Sequence, residues 1–304
     1  MKEMRKVCCG DMGMSEQFAV IDFSGWESLN LPVSGIREKL WLRNNKTGEV
    51  GLFKFPKTDY TGDFWAEKLA YEIGQLINID VAKTEIGLSD GRLGSFSYNI
   101  LNDGEYLLEG YSIIGDILNF TTSSEIYETL GLNYSIELLE SVLGEHFPTF
   151  LKVITLDCLI GNTDRHHGNW AFIIDDNGTW LRLSALYDNG SSLCYLERPD
   201  RIALMEKDKM MLEAALFTKP KSQIGLGNIR PVNHFDLFSY VCSKYNKDMK
   251  QIMKNLESGI TDKNVSELLE QFADGIIEVS MKRFLKLFLI KRKDRMLDLF
   301  NKNL

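Results

Sequence analysis

The sequence holds 304 residues, 44% of them hydrophobic and 26% charged, with a formal net charge of -8. That balance is ordinary for a globular chain and excludes disorder as the default; the acidic surplus and the lack of a dominant basic patch argue against direct nucleic-acid binding. No window reaches the roughly 18 apolar residues needed to span a bilayer, and no apolar run follows the N-terminal basic residues as a secretion signal requires.

The length suits two packed lobes or two small domains better than one simple core. The five cysteines (Cys8, Cys9, Cys158, Cys194 and Cys242) fit neither a disulfide framework nor zinc-ligand spacing. They read as reduced thiols of a cytoplasmic protein, with export as an effector a second destination.

Residues 1–17 read as a flexible leader that includes Cys8 and Cys9. From about 18 to 101 the texture is of short strands and turns around one helix. Leu40–Arg43 and Val50–Phe55 flank the turn-forming Asn44-Asn-Lys-Thr-Gly48 and predict a hairpin. Phe64, Trp65, Leu69, Ile73 and Leu76 recur at helical spacing and predict a helix over 63–76. Further strands are expected at 86–88 and 94–101. From about 112 onward helices dominate. The apolar-periodic stretch 136–160 contains Pro148, which predicts a split into two helices. Gly161-Asn-Thr-Asp-Arg-His-His-Gly-Asn169 is too dense in loop formers to be helical. It precedes two short strands, 170–174 and 180–186, joined by the turn Asp175-Asp-Asn-Gly178. Thr261, with Asn264 behind it, is a plausible helix start. Residues 196–231 carry Lys219, Lys221 and Arg230 and read as a solvated, substrate-facing loop. The stretch Lys282–Arg295 reads as an amphipathic helix with a packed apolar face and a wet basic face, or as a surface for an acidic partner or a membrane.

The residues that carry chemistry are Asp164, Arg165, His166 and Asn169, followed nineteen residues after Asn169 by Asp188. Phosphoryl transfer from ATP needs an orienter for the attacking hydroxyl and cations to neutralise the triphosphate. An Asp can accept the hydroxyl proton, and an Asn carbonyl and an Asp carboxylate are hard oxygen donors suited to magnesium. A loop holding Asp164 and Asn169, with a hairpin delivering Asp188 beside it, supplies all three. Singly, each is an ordinary loop residue.

Gly161–Asn169 followed by Leu186-Tyr-Asp-Asn-Gly190 resembles the catalytic and metal-binding segments of HipA-like serine/threonine kinases. Asp-Arg-His-x-x-Asn is also similar to phosphatidylinositol 3/4-kinases, distant relatives. The resemblance implies an α+β, protein-kinase-like two-lobed fold, with a small β-rich N-lobe (18–105) and a larger, mostly helical C-lobe (106–304). It implies ATP and Mg2+ as cofactors, Asp164 as catalytic base, and Asn169 and Asp188 as metal ligands. His166 would be a structural or phosphate-near member of the loop, and His167 has no matched role. Leu52-Phe-Lys-Phe-Pro56 resembles the strand of the ATP-binding lysine, which implies Lys54. Glu67 resembles the helix glutamate that orients it, with Glu72 a weaker candidate. Ser34-Gly-Ile-Arg-Glu-Lys39 resembles the phosphate-covering loop, implicating Ser34, Gly35, Arg37 and Lys39. The inter-lobe hinge falls near Ser97-Tyr-Asn99-Ile, where backbone groups would meet the adenine.

Two departures stand out. Pro32 occupies the position of the serine that HipA-type toxins autophosphorylate, and the chain has room for only a short leader where the toxins carry a further domain. It looks more like the kinase-only members of the family. The expected partners are a protein substrate and an antitoxin or regulatory protein. A lipid or small-molecule kinase, or an inactive kinase fold used for binding, are the competing readings.

Overall fold

The computed structural model describes residues 17–31, 38–58, 60–120, 125 and 134–303. Residues 1–16 of the expected leader, with Cys8 and Cys9, lie outside them, as do Pro32, Ser34, Gly35 and Arg37.

The first part of the chain is a six-stranded sheet with one helix across it. Its strands are β1 (Ile21–Asp22), β2 (Glu27–Leu29), β3 (Lys39–Arg43), β4 (Val50–Lys54), β5 (Thr84–Ser89) and β6 (Arg92–Tyr98), in the spatial order β1-β5-β6-β4-β3-β2. Only β1–β5 is parallel; the other pairs are antiparallel. The predicted β3–β4 hairpin closes because Asn44 Oδ1 accepts the Lys46 and Thr47 amides while Gly48 takes φ 78°, the left-handed region where glycine is unpenalised. Strand alternation sends Phe53 and Phe55 to one face, where they join Phe23, Leu42 and Phe96 in a small apolar cluster. Lys54 therefore points to the other face.

Helix α1 (Asp63–Ile77) buries Trp65, Ala66, Leu69, Ala70, Ile73 and Ile77. Burial of each large apolar side chain contributes about 1.5–3 kcal/mol, which fixes the helix against both the sheet and the helical part. Asn78 ends it in the left-handed conformation, with Ile79 donating back to Gly74 O at 2.9 Å. Its polar side splits in two: Glu67 turns toward Lys54, whereas buried Lys68 pairs with Glu72 at 2.7 Å and Glu85 at 2.8 Å. That pairing takes Glu72 out of contention as the lysine's orienter.

The remainder is mainly helical. Strand β7 (Tyr106–Glu109) joins β8 (Ala171–Ile174) and β9 (Trp180–Leu183) in an antiparallel sheet. The helices are α2 (Gly110–Ile117), α3 (Ile136–Leu143), α4 (Phe147–Ile160), α5 (Pro199–Met205), α6 (Lys209–Glu213), α7 (His234–Lys244), α8 (Asn246–Gly259), α9 (Asp262–Glu270) and α10 (Val279–Lys302). The expected split of 136–160 occurs, but at the 3-10 turn Gly144–His146. Pro148 sits inside the first turn of α4, where its missing N–H costs nothing. The Thr261 hydroxyl caps α9 by accepting the Asn264 amide at 3.1 Å.

Two expectations need correction. Residues 196–231 are not a plain solvated loop: they contain α5 and α6, Lys219 is bonded to Glu197, and the Arg230 guanidinium lies over the Tyr134 ring at 5.4 Å. The basic side of α10 is not all wet either. Lys282 is buried and reaches Asp274 at 2.7 Å, and Arg292 is fully buried. Arg292 donates to the Cys158 and Leu159 carbonyls at 2.6–3.2 Å and to Leu216 O, between the Phe235 and Phe288 rings. A helix leaves its last carbonyls unpaired, and α4 is apolar nearly all round, so a side-chain donor from α10 supplies what water cannot.

Candidate active site

Three segments converge between the sheet and the helical part. The first is the end of β4. Lys54 Nζ donates to Glu67 Oε1 at 3.2 Å and to Asp188 Oδ1 at 3.0 Å. Burial disfavours its charged form, but the Glu67 and Asp188 carboxylates outweigh that and hold the ammonium well above the usual lysine range. Lys39 lies directly opposite Lys54 across the β3–β4 ladder, so both side chains leave the sheet on one face.

The second segment is the loop after α4. Gly161 ends that helix at φ 65°, and an added Cβ would meet Phe288 and Pro220 at 3.0–3.2 Å. Asn162 turns its amide onto Asp157 Oδ1 at 3.1 Å and accepts the Asp164 amide on Oδ1 at 2.9 Å. Asn169 donates through Nδ2 to Asp164 O at 2.7 Å, which leaves its Oδ1 as the available acceptor. His166 Nδ1 accepts the Gly168 amide at 3.0 Å, so the neutral ring carries its proton on Nε2 and the side chain closes the turn. His167 packs edge-on to Tyr134 and is pushed down to about 4 by burial, with His166 and Arg230 adding to the effect.

The third segment follows β9. Leu186 exchanges hydrogen bonds with Asp80 and Ala82, just past the end of α1. Asp188 follows two residues later, at φ 56°, with a side chain 37% exposed. The Asn189 amide donates to Glu67 Oε2 at 2.8 Å. Gly190 packs so close to α1 that a Cβ would stand 3.0 Å from Asp63 O. Glu67 thus holds Lys54 with one oxygen and the Asp188 segment with the other.

Beneath these sits Arg165, 1% exposed. It donates to Asp157 at 2.9–3.2 Å, to Asn169 O at 2.6 Å, to Tyr187 O at 2.8 Å and to Asn189 Oδ1. One guanidinium therefore joins α4, the Asp164–Asn169 loop and the Asp188 segment. Burial opposes its charge, but Asp157 more than offsets that and holds its pKa above the ordinary arginine value.

The structure thus brings together Lys54, Glu67, Asp188, Asn169, Asp164 and Lys39. Ser97 and Asn99 lie at the end of β6 and are locally engaged: Ser97 Oγ pairs with Thr84 Oγ1 at 3.1 Å, and Asn99 bonds Val50 O at 2.9 Å and its own neighbour Leu101. The organising roles of Arg165, Asp157 and Asn189 were not read from sequence. Asp157 carried a usable signal, a lone acid in the apolar run of α4, because a buried carboxylate demands a partner.

A strand-rich part carrying a lysine–glutamate pair, facing a helical part with an Asp-Arg-His-x-x-Asn loop, is the two-lobed kinase-like fold of the HipA group. No protein-family profile matches the chain. The chain is 23% identical over 268 residues to the serine/threonine-protein kinase CtkA of Helicobacter pylori, covering 82% of this chain and 78% of the relative. Its fold matches the crystal structure of that proinflammatory kinase at a TM-score of 0.78, with 20% identity, over 94% of this chain and 98% of the other. It also matches HipA of Shewanella oneidensis, solved with HipB and operator DNA, at a TM-score of 0.53 and 14% identity, over 90% of this chain and 66% of the other. The chain is a homologue of a serine/threonine-protein kinase, with the fold the resemblance implied.

Proposed function

We propose that this chain is an ATP- and magnesium-dependent protein serine/threonine kinase with lobes dividing near residue 105. The observation that carries the reading is Lys54, held between Glu67 and Asp188 across a sequence separation of 134 residues. A scaffold has no need of a buried lysine clamped by two acids, one of them part exposed.

In this reading Lys54 bridges the non-transferred phosphates, and the 34–39 segment with Lys39 holds the β and γ phosphates. Glu67 orients Lys54. Asp164 orients the acceptor hydroxyl and takes its proton, and His166 shapes the turn that carries it. The segment of Ser97 and Asn99 flanks the base of the nucleotide. Asp188 and the Asn169 Oδ1 would hold magnesium. Among the described residues no cluster of three His, Cys, Asp or Glu suits a metal, which fits this donor set: magnesium is usually held by one or two protein oxygens plus substrate phosphates. When bound, the ion neutralises charge on the phosphates.

The comparisons support a protein acceptor, since the curated relative is a protein kinase. HipA, solved with HipB, is the ground for proposing a regulatory partner of the antitoxin type. Among the described residues no helix is long and apolar enough to cross a membrane, and access to ATP places the protein in the cytoplasm in this reading.

The test is transfer from radiolabelled ATP by the purified chain, with and without magnesium. Label on the chain or on a co-incubated protein is expected. Label confined to a lipid or metabolite fraction would replace the protein acceptor, and no nucleotide binding at all would leave a binding module.

A further inference from the structure

A cavity of about 160 Å³ opens beside the loop that carries Asp164, and no step of the proposed chemistry uses it. Its walls include Gly161, Thr163, Cys194, Leu196, Lys219 and Pro220. We propose that it seats an apolar side chain of the acceptor protein, close in sequence to the phosphorylated serine or threonine. This rests on the protein-kinase reading above and names a substrate feature that reading leaves open.

Size decides first. Pockets for cofactors and drug-sized ligands run from about 300 to 1,000 Å³, so this cavity suits a single side chain. The chemistry of its walls decides next. Polar groups at its edge are engaged elsewhere: Thr163 donates through its amide and its hydroxyl to Ser191 O at 3.0 and 3.1 Å, and Ser192 Oγ donates to Asn189 O at 2.6 Å. The Glu197 carboxylate is neutralised by Lys219 and by Arg201. What remains for a guest is the Cys194 sulfur, the Pro220 ring, the Tyr195 side chain and the rim residue Leu196, which is 59% exposed. A polar or charged guest would lose water without gaining partners.

Position names the occupant. Thr163 adjoins Asp164 in the chain, and an extended segment advances about 3.3–3.6 Å per residue. In this proposal a segment whose hydroxyl meets Asp164 sets a side chain within two residues of it in the cavity. The walls are also set in advance. Leu193 N bonds Ile160 O at 2.8 Å, tying the segment to the end of α4, and Leu193 and Cys194 are both held at positive φ. Such preorganisation lowers the ordering cost of binding.

The experiment uses the full chain, magnesium-ATP and serine peptides bearing Leu, Gly or Asp at each of the two positions either side of the hydroxyl. At one position Leu is expected to raise kcat/KM about tenfold over Gly and Asp, the scale of filling an apolar pocket. Cys194→Trp fills the cavity and should bring Leu and Gly to within roughly twofold, with the KM for ATP unchanged. Leu196→Asp, at an exposed site that tolerates change, should likewise remove the preference and stands in if the tryptophan variant folds poorly. Equal use of Leu, Gly and Asp peptides by the wild type, or a Leu preference that survives both substitutions, overturns the subsite and leaves the kinase reading intact. Labelling of no peptide while the chain labels itself overturns the subsite alone; no transfer to the chain or to any peptide overturns the protein-kinase reading as well.

Discussion

The two sides of the candidate active site are built by different means. On the helical side, the Asp164–Asn169 loop and the Asp188 segment are bonded through backbone carbonyls, amides and one buried guanidinium, so that each peptide is fixed by several partners. On the sheet side, Lys54 is held by two carboxylates, and Lys54 and Glu67 carry bonds across to Asp188 and Asn189. The lesson is a division of labour. The loops proposed to orient oxygen donors are held by many bonds, while the lysine proposed to meet the phosphates is held by two carboxylates.

Substitutions that break this contrast should scale with it. Asp188→Ala removes a carboxylate that serves both sides. It is expected to abolish detectable phosphate transfer and to weaken magnesium-dependent ATP binding, read by calorimetry. Asp164→Ala leaves the network standing and should cost on the order of 10²-fold or more in rate, the scale of a positioned acid–base group, with ATP binding retained. Normal transfer by that variant would refute the role of Asp164. Arg165→Met strands Asp157 without its partner in the interior. Breaking a buried pair this way costs about 3–5 kcal/mol, to be read from urea unfolding. Lys54→Ala should act chiefly on the sheet side, raising the KM for ATP more than it lowers kcat. Unchanged kinetics would move the phosphate-binding role to another residue. Glu38→Gln, which loses the exposed pair with Arg92 at 2.8 Å, should leave melting temperature and activity at wild-type values.

Much of the architecture was legible because the local signals agreed with the global fold. The Asn44–Gly48 turn, the spacing of Trp65, Leu69 and Ile73, and the Thr261 cap each named an element that formed. The face on which Lys54 lies was legible because strand alternation separated it from Phe53 and Phe55. What escaped was long-range. Nothing local says that Arg292, in a stretch that scans as an ordinary amphipathic helix, is buried against carbonyls of residues 158, 159 and 216. Nothing in Asp-Arg-His says that the arginine faces inward, because the acid it meets lies on the preceding helix and the amide oxygen it meets lies 24 residues on. Pattern reads one element at a time, and a buried cation is defined by several.

The seating of Arg292 makes the far end of the polypeptide a buttress for a loop more than a hundred positions earlier. A version of this protein cut before residue 279 would strip the donor from the Cys158 and Leu159 carbonyls while sparing every residue assigned a chemical role. Loss of phosphate transfer in such a shortened version would thus report a collapsed support, and a damaged reaction centre would be the wrong diagnosis.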